Sequence, residues 1–234
     1  GTDPATDLAA LQVELPELQP ISLGDSNSAR VGDVVLAIGN PLGFRHTVSQ
    51  GIVSGLGRFG LQSSIYEDYI QTDAIIHQGN SGGALIDARG RLLGINTLIY
   101  TGDNQARQSS TGIGISLAIP VNLAVLVMQD LIRYGEVIRG WLGVSAEPVR
   151  LETGQQALAI VTVEQGSPAQ RAGLQPGDLV THIDGEAVLD GRLTMHRIAL
   201  LKPGEAVEIS LQRGRQSMDL TAVVGVVNQS GQPR

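Results

Sequence analysis

The sequence predicts a mainly β protein built from two regions. Glycine accounts for 30 of the 234 residues and aromatic residues for only 3%, a composition that favours many turns and short strands. From residue 8 to about 119, short apolar runs alternate with glycine turns, a spacing typical of antiparallel strands in a barrel or sandwich. Strands of the same style resume at about residue 141. The chain length suits one large domain or two of ordinary size.

The first region reads as a series of strands closed by one helix. Its strand-like runs, in chain order, are VVLAIGN, GIVSGLG, YIQTDAII, GGALID, LLGINTLIY and GIGISLAI. Pro120 then opens a helical pattern that Gly135 is suited to end. Its predicted apolar face consists of Val121, Ala124, Val125, Met128, Leu131 and Ile132. We expect this helix to seal the first domain.

The second region predicts two helices among its strands. The stretch GSPAQRAG indicates a short helix, QPGD a turn, and LVTHIDG a strand followed by a turn. A longer helix is expected in LTMHRIALLKPGE, ending at Pro203, and a final hairpin around Arg213 and Gly214.

The composition also limits the classes of binding partner and cofactor that the sequence predicts. The formal net charge of −7 argues against nucleic acid or an anionic membrane surface as the main partner. The chain has no cysteine, and no His, Cys, Asp or Glu cluster has metal-ligand spacing, so no cofactor or metal is predicted. The sequence opens GTDPATDLAALQV without a methionine, and we expect its numbering to begin inside a longer protein.

Residues 77–87, HQGNSGGALID, predict an exposed serine. The glycines around Ser81 leave its hydroxyl uncovered and allow backbone N–H groups to point into open space, as an acyl-transfer nucleophile requires. A tight glycine turn between strands explains the same residues. An α/β-hydrolase is a further alternative, since the pentapeptide satisfies GxSxG and His182 lies downstream. That fold needs helices between parallel strands, whereas strand follows strand here.

Several motifs together resemble one protease family. TDLAALQV, AIGNPLG, SQGIVSGLGR, YIQTDAIIHQGNSGGALID, LLGINT and GIGISLAIP resemble the trypsin-like domain of HtrA proteases, and IRGWLGV with GSPAQRAGLQPGDLVTHIDG resembles the PDZ domain that follows it. The single PDZ module resembles the DegS/AlgW type. The resemblance implies a chymotrypsin-like double β-barrel, truncated in its first barrel, followed by a PDZ domain. The implied domains are 1–135, a linker 136–140, the PDZ domain 141–228 and a tail 229–234.

The resemblance assigns catalytic roles to two side chains. Ser81 matches the nucleophile, Asp7 the triad carboxylate, and the N–H groups of Gly79 and Ser81 the oxyanion hole. The family's catalytic histidine lies upstream of the aspartate, in sequence that this chain lacks, so we expect the chain as given to be inactive. The other reading of Asp7 is a turn or cap residue. None of the four histidines, His46, His77, His182 and His196, matches the base.

The resemblance also implies binding and regulatory residues. The walls of the substrate pocket are expected to include Ile75, His77, Ile95, Asn96 and Leu98. The peptide site of the PDZ domain is expected at Trp141, Leu142, Gly143, Val144, Met195 and Ile198, some of which also suit the core. Arg58 matches a family position that helps to form the oxyanion loop. The loops 55–68 and 101–112 are the candidate switch elements.

The implied function is ATP-independent serine endopeptidase activity in the envelope stress response. The expected protein is periplasmic, possesses an inner-membrane anchor outside this sequence, forms a homotrimer, and cleaves an anti-sigma factor. C-terminal peptides of misfolded envelope proteins are the expected PDZ ligands. The alternatives are a general periplasmic quality-control protease or chaperone and a non-catalytic PDZ adaptor.

Overall fold

The computed structural model describes residues 1–41, 46–60, 66–77, 79–100, 115–189 and 191–227. The chain divides into two compact units, Gly1–Val137 and Ile138–Arg234. The predicted tail and the loop 101–112 lie largely or wholly outside the described residues, as does part of the loop 55–68. Within the described ranges, no helix combines the length and apolar character that crossing a bilayer requires.

The first unit is a closed antiparallel barrel of six strands with a small hairpin before it and a helix after it. Its elements are β1 (Thr2–Asp3), β2 (Leu8–Ala9), β3 (Val34–Gly39), β4 (Thr47–Arg58), β5 (Tyr69–Thr72), β6 (Ala84–Asp87), β7 (Leu92–Tyr100), β8 (Ile115–Pro120) and α1 (Val121–Tyr134). β1 pairs with β2, and the barrel order is β3-β4-β5-β8-β7-β6. The predicted mainly β class is confirmed.

The barrel core follows from the alternation of apolar residues along its strands. Val35 and Ala37 of β3 are fully buried, and they pack with Val53, Ile70 and Leu85 from neighbouring strands. Burial of such side chains contributes about 1.5–3 kcal/mol each to folding.

The predicted strand YIQTDAII is shorter in the structure. β5 ends at Thr72, and the next residue, Asp73, turns its carboxylate to accept the Ile52 N–H at 2.7 Å. The Thr72 hydroxyl accepts the Ala74 N–H at 3.0 Å. These side-chain acceptors replace the ladder bonds that would have extended the strand.

Helix α1 lies where the sequence predicts it, with Gly135 as its left-handed C-cap, but its buried face is rotated. The predicted inward residues Met128 and Ile132 are 42% and 73% exposed, while Leu123 and Val127 are buried. Seven of the first eight residues are apolar, so their spacing does not select one face.

A pair of polar contacts fixes the start of α1. The Asn122 N–H donates to Ser26 Oγ at 3.2 Å, and the Ser26 N–H donates to Asn122 Oδ1 at 3.2 Å. Asn122 Nδ2 also donates to Asp25 Oδ1 at 2.8 Å. Ser26 therefore caps a helix through Asn122, 96 residues later in the chain, and this contact orients Asn122 towards residues 25–26.

The second unit is a β-sheet with two helices. Its elements are β9 (Arg139–Trp141), β10 (Val144–Arg150), β11 (Gln156–Val163), α2 (Pro168–Ala172), β12 (Leu179–Ile183), β13 (Glu186–Ala187), α3 (Gly191–Leu200), β14 (Ala206–Arg213), β15 (Gln216–Val223) and β16 (Gly225–Val227). The main sheet has the order β10-β11-β12-β14-β15, with β13 beside β12, and β9 pairs with β16. The predicted hairpin around Arg213 and Gly214 is the β14–β15 pair.

Both predicted helices of this unit are present. Ser167 Oγ caps α2 by accepting the Gln170 N–H at 3.1 Å, and Gly173, with φ 89°, ends it. Helix α3 ends at Leu200, three residues before the predicted stop at Pro203, since the residue before a proline disfavours helical geometry.

One buried ion pair ties the turn before β12 to the end of β14. Asp178 is almost fully buried and receives Arg213 Nε and Nη2 at 2.7 Å each, while the Gln175 N–H donates to it at 2.8 Å. Burial is the largest influence on the pKa of Asp178 and would raise it. Together the bonds from Arg213 and Gln175 outweigh burial and lower the pKa below its ordinary value of 3.8.

Candidate active site

The Ser81 loop is held from both sides by backbone hydrogen bonds. The Asn80 N–H donates to His77 O and the Gly83 N–H to Asn80 O, each at 2.9 Å. The Gly82 N–H donates to Asn96 O at 2.8 Å, and the Asn96 N–H returns a bond to Gly83 O at 2.8 Å. The turn before β6 is therefore fastened to β7, and Ser81 is exposed at its tip.

Two glycines of this loop have backbone conformations that other residues rarely adopt. Gly79 has φ 97° and Gly82 has φ 81°. Within the described part of the chain, neither the Gly79 N–H nor the Ser81 N–H donates a hydrogen bond. Neither donor therefore has a competing partner among the described residues, which is one requirement of an oxyanion hole.

A chain of two hydrogen bonds connects Ser81 to Asp7 through Thr97. The Ser81 hydroxyl donates to the carbonyl oxygen of Thr97 at 2.6 Å, and the Thr97 hydroxyl donates to Asp7 Oδ2 at 2.9 Å. Thr97 is the unpaired residue of a bulge in β7, between the pairs formed by Asn96 and Leu98. A bulge re-aims side chains out of the regular alternation, which explains how one residue reaches both groups.

Asp7 has a left-handed backbone, with φ 60°. A non-glycine residue in this region costs about 1–3 kcal/mol, and such outliers cluster at functional sites. Asp7 is exposed, whereas Thr97 is buried. The carboxylate that the sequence singled out is thus held by a buried threonine hydroxyl while keeping one side open to solvent.

Thr97 was missed by sequence reasoning. Thr97 is the last residue of the motif LLGINT, but nothing in its neighbours along the chain distinguishes a threonine that bonds to an aspartate 90 residues away. The signal that could have identified Thr97 is its position directly after Asn96, whose backbone bonds to the Ser81 loop.

The histidines hold no position between Asp7 and Ser81. The Ser81 hydroxyl donates to a carbonyl rather than an imidazole, and His77 is exposed with its carbonyl bound to the Asn80 N–H. His46 is exposed, and His182 and His196 belong to the second unit.

The predicted pocket residues fall into two groups. Ile75 is 56% exposed, His77 is exposed, and Ile95 is half-buried, so these three present surface. Asn96 is 1% exposed, and its Nδ2 donates to Ile38 O at 3.1 Å and Ala84 O at 3.2 Å, which ties β7 to β3 and β6. Leu98 lies in β7, and its side chain is outside the described part.

Arg58 ends β4 with its guanidinium engaged. Its Nε donates to Gln71 Oε1 at 2.7 Å, and its side chain lies directly over Gly55, where a Cβ would approach the guanidinium to 2.6 Å. Arg58 is therefore packed along its own strand towards β5.

The second unit offers an open sheet edge beside a helix. β10 is an end strand of the main sheet, and α3 contacts it. Gly143, with φ 78°, turns the chain into β10, and among the described residues the N–H groups of Leu142 and Gly143 donate to no partner. An extended peptide can add to such an edge and place its carboxylate at such a turn.

The predicted peptide-site residues lie around this edge with different burial. Leu142 and Ile198 are buried in the core of the unit. Trp141 and Val144 are half-buried, and Met195 is exposed on α3.

Comparison with known proteins identifies relatives of both units. A trypsin-like peptidase domain model matches residues 1–95, and a PDZ domain model matches residues 140–224. A probable periplasmic serine endoprotease, DegP-like, of Rhizobium meliloti (strain 1021) is 38% identical over 235 residues, which is 97% of this chain and 45% of the relative. The DegP-like protein of Bartonella henselae is 41% identical, with 90% and 42% covered. The chain thus spans less than half the length of these two relatives.

The chain covers a larger share of two similar proteins of known structure. The HtrA-type protease AlgW with a tripeptide is 45% identical, with 97% of this chain and 76% of that chain covered, at a TM-score of 0.79. AlgW with a decapeptide is also 45% identical, with 97% and 70% covered, at a TM-score of 0.76.

Proposed function

The chain belongs to the HtrA-type serine proteases, and from this premise we propose that the protein is a periplasmic serine endopeptidase with Ser81 as its nucleophile. The observation that carries the proposal is the contact chain from Ser81 through Thr97 to Asp7, beside two unengaged backbone donors. The names of the curated relatives support both the activity and the periplasmic location.

In the proposed reaction, Ser81 Oγ attacks the carbonyl carbon of a peptide bond. The negative charge that develops on the carbonyl oxygen is stabilised by the N–H groups of Gly79 and Ser81. The C–N bond then breaks, the amine leaves with a proton, and water hydrolyses the acyl-enzyme. No hydrogen bond within the described chain has to break before these two donors can bind the oxygen.

The hydroxyl proton needs a base that the Thr97 carbonyl cannot be. We assign that role to a histidine in a part of the protein that precedes this chain, placed between Ser81 and Asp7. Asp7 orients this imidazole and stabilises its charged form, and the Thr97 hydroxyl keeps the Asp7 carboxylate in place. The chain alone is therefore expected to be inactive.

A fluorophosphonate probe tests the nucleophile in the full-length protein. Labelling is expected at Ser81, and Ser81→Ala abolishes both labelling and peptide hydrolysis, with a loss on the order of 10⁴-fold or more. Ser28→Ala, which removes an exposed hydroxyl of the same unit, leaves both unchanged. Labelling that persists in Ser81→Ala contradicts the assignment.

We also propose that the substrate pocket favours small or medium apolar residues. Ile75 and Ile95 present apolar surface near the Ser81 loop, and no acidic residue occurs in the predicted wall segments 75–80 and 94–100. A peptide library cleaved mainly after Lys or Arg contradicts this specificity.

The PDZ unit is proposed to bind C-terminal peptides of misfolded envelope proteins at β10. The open edge, the Gly143 turn and the neighbouring α3 support this, as do the AlgW structures with bound peptides. By the same relationship, the proposed substrate is an anti-sigma factor, and the proposed assembly is a homotrimer anchored at the inner membrane. Residues 141–228 form the PDZ domain in this proposal.

Peptide binding is proposed to activate the protease through Arg58 rather than only to tether substrates. The assay uses a short substrate without a PDZ-binding tail, so tethering cannot raise its rate. A separate activating peptide is expected to raise kcat/KM, and Arg58→Ala blunts this rise while peptide affinity stays the same. Arg89→Ala, at an exposed arginine, serves as the control. An activating peptide without effect on this substrate favours tethering.

A second candidate is general proteolysis in the envelope, favoured by the DegP-like name of the curated relatives. The two candidates differ in substrate range. A general protease degrades many unfolded proteins to small peptides, whereas the proposed stress protease cuts one anti-sigma factor at a single site. A non-catalytic PDZ adaptor is the outcome if the full-length protein hydrolyses neither.

A further inference from the structure

The side chain of Asn80, between the two proposed oxyanion donors, is buried and has no hydrogen-bond partner among the residues that the structure describes. Asn80 is 1% exposed, and within the described residues neither its Oδ1 nor its Nδ2 has a partner. Its backbone, in contrast, is fully engaged with His77 and Gly83. A buried amide left unsatisfied is costly and rare in native proteins, so this one calls for a partner.

Asn96 presents a third unsatisfied atom at the same end of β3. Its Nδ2 is used twice, but its Oδ1 has no partner among the described residues. Asn96 bonds to Ile38 O, and the next residue, Gly39, lies against Asn80. The two buried amides therefore flank adjacent residues of one strand.

Two glycines, Gly39 and Gly83, lie against Asn80, and a side chain on either of them would clash with its surroundings. A Cβ on Gly39 would lie 2.2 Å from Asn80 Oδ1, and a Cβ on Gly83 would lie 2.1 Å from Ile38 O and 2.8 Å from Asn80 O. The backbone therefore packs closely around the Asn80 amide, which leaves the side chain little freedom to turn towards solvent.

We propose that Asn80 and Asn96 form a buried water site, and that Asn80 acts through it as a positioning residue for the Ser81 loop. Buried waters typically make about three hydrogen bonds to otherwise unsatisfied groups, and these amides offer one NH₂ group and two carbonyl oxygens. The peptide bond after Asn80 carries the Ser81 N–H, so anchoring Asn80 fixes the direction of that donor. The positioning role rests on the proposed function, whereas the water site does not.

Asn80→Leu provides a stability test on the chain itself, because leucine has similar size and no polar atom. All four tyrosines lie in the first unit and the only tryptophan, Trp141, lies in the second. The transition that near-ultraviolet circular dichroism shows but Trp141 fluorescence does not is therefore assigned to the barrel. If Asn80 binds water, Asn80→Leu lowers the melting temperature of the barrel by about 2–4 °C or more. If the amide is merely unsatisfied, the substitution raises that temperature and overturns the proposal.

Two further variants serve as controls for this melting experiment. Asn27→Leu, at an exposed asparagine of the same unit, is expected to leave the melting temperature unchanged. Asn96→Leu removes two direct hydrogen bonds and marks the size of a definite loss. A crystal structure at about 1.5 Å must show a water within hydrogen-bond distance of Asn80, and a protein group in that place refutes the water site.

Asn80→Asp tests the positioning role in the full-length enzyme without changing side-chain size. Burial raises the pKa of the introduced carboxyl, so it is neutral at low pH and charged as the pH rises. We expect kcat to fall at least about tenfold relative to the parent between pH 5 and pH 8, with KM unchanged. A parallel pH profile for both proteins refutes positioning. If Ser81→Ala remains active, the proposed function fails, while the stability test of Asn80→Leu still decides the water site.

Discussion

Replacing Arg213 by methionine should lower the stability of the PDZ unit, because the substitution leaves the buried carboxylate of Asp178 without its cationic partner. Arg213 places two nitrogens 2.7 Å from the two oxygens of Asp178 and donates to Gly173 O at 2.8 Å. The Asp178 side chain is only 1% exposed, so water cannot replace the lost donors. Methionine retains most of the length and apolar stem of arginine but provides no donor.

The size of the effect follows from the burial of Asp178. Breaking a buried ion pair by removing one partner typically costs about 3–5 kcal/mol. For a unit of about 100 residues this lowers the melting temperature by at least about 10 °C. In the parent, the lowered pKa of Asp178 contributes stability above about pH 3.8, and this stability is lost as the pH falls through the lowered pKa. In Arg213→Met, burial dominates and raises the pKa, so the deficit is largest at neutral pH and shrinks on acidification.

Trp141 fluorescence during thermal unfolding at pH 7 and pH 4.5 measures this effect in the PDZ unit. Arg197→Met is the matched control, because Arg197 pairs with Glu186 at the surface with side chains 49% and 64% exposed. Such pairs are worth about 0–1 kcal/mol. Asp178→Asn combined with Arg213→Met should recover much of the loss. Equal losses in Arg213→Met and Arg197→Met, or a deficit independent of pH, refute the reasoning.

Two further predictions concern the barrel unit. Thr97→Val removes the hydroxyl that donates to Asp7 and should lower kcat of the full-length enzyme about 10- to 100-fold with KM unchanged. Thr97→Ser, which keeps the hydroxyl, should restore kcat. An unaltered kcat in Thr97→Val contradicts the role of Thr97. Ser26→Ala removes the hydroxyl that caps α1, worth about 0.5–2 kcal/mol, and should lower the melting temperature of the barrel. Ser22→Ala, at an exposed serine of the same unit, should not, and equal shifts mean that the cap contributes nothing.

Local patterns predict the elements of this fold better than their contacts. Gly135 and Ser167 mark the ends of two helices through conformations that depend only on nearby residues. The predicted buried face of α1 was wrong, because the orientation of the helix depends on the hydrogen bonds between Asn122 and Ser26. No local spacing of residues encodes that contact. The ion pair of Asp178 with Arg213 likewise joins residues 35 apart.

The candidate site divides in the same way. Ser81 and its glycines form one short motif, so the sequence identifies them together. Thr97 lies 16 residues from Ser81 and 90 from Asp7, and only the bulge in β7 brings it to both. The burial of Asn80 depends on the close approach of Gly39, which is 41 positions earlier and gives no pattern of its own.

The strand order of the barrel has a consequence for the order of folding. β8 is the last of the six barrel strands in chain order, yet it lies between β5 and β7. Until residue 120 has left the ribosome, the other five barrel strands form at most an open sheet, with β5 and β7 as unpaired edges. Open edges promote pairing between chains, so this intermediate is where aggregation competes with folding. Thr97 lies on one of those edges, and its contacts to Asp7 and Ser81 become rigid only when β8 closes the barrel. The nascent barrel should therefore acquire its nucleophile geometry late, after its last strand is in place.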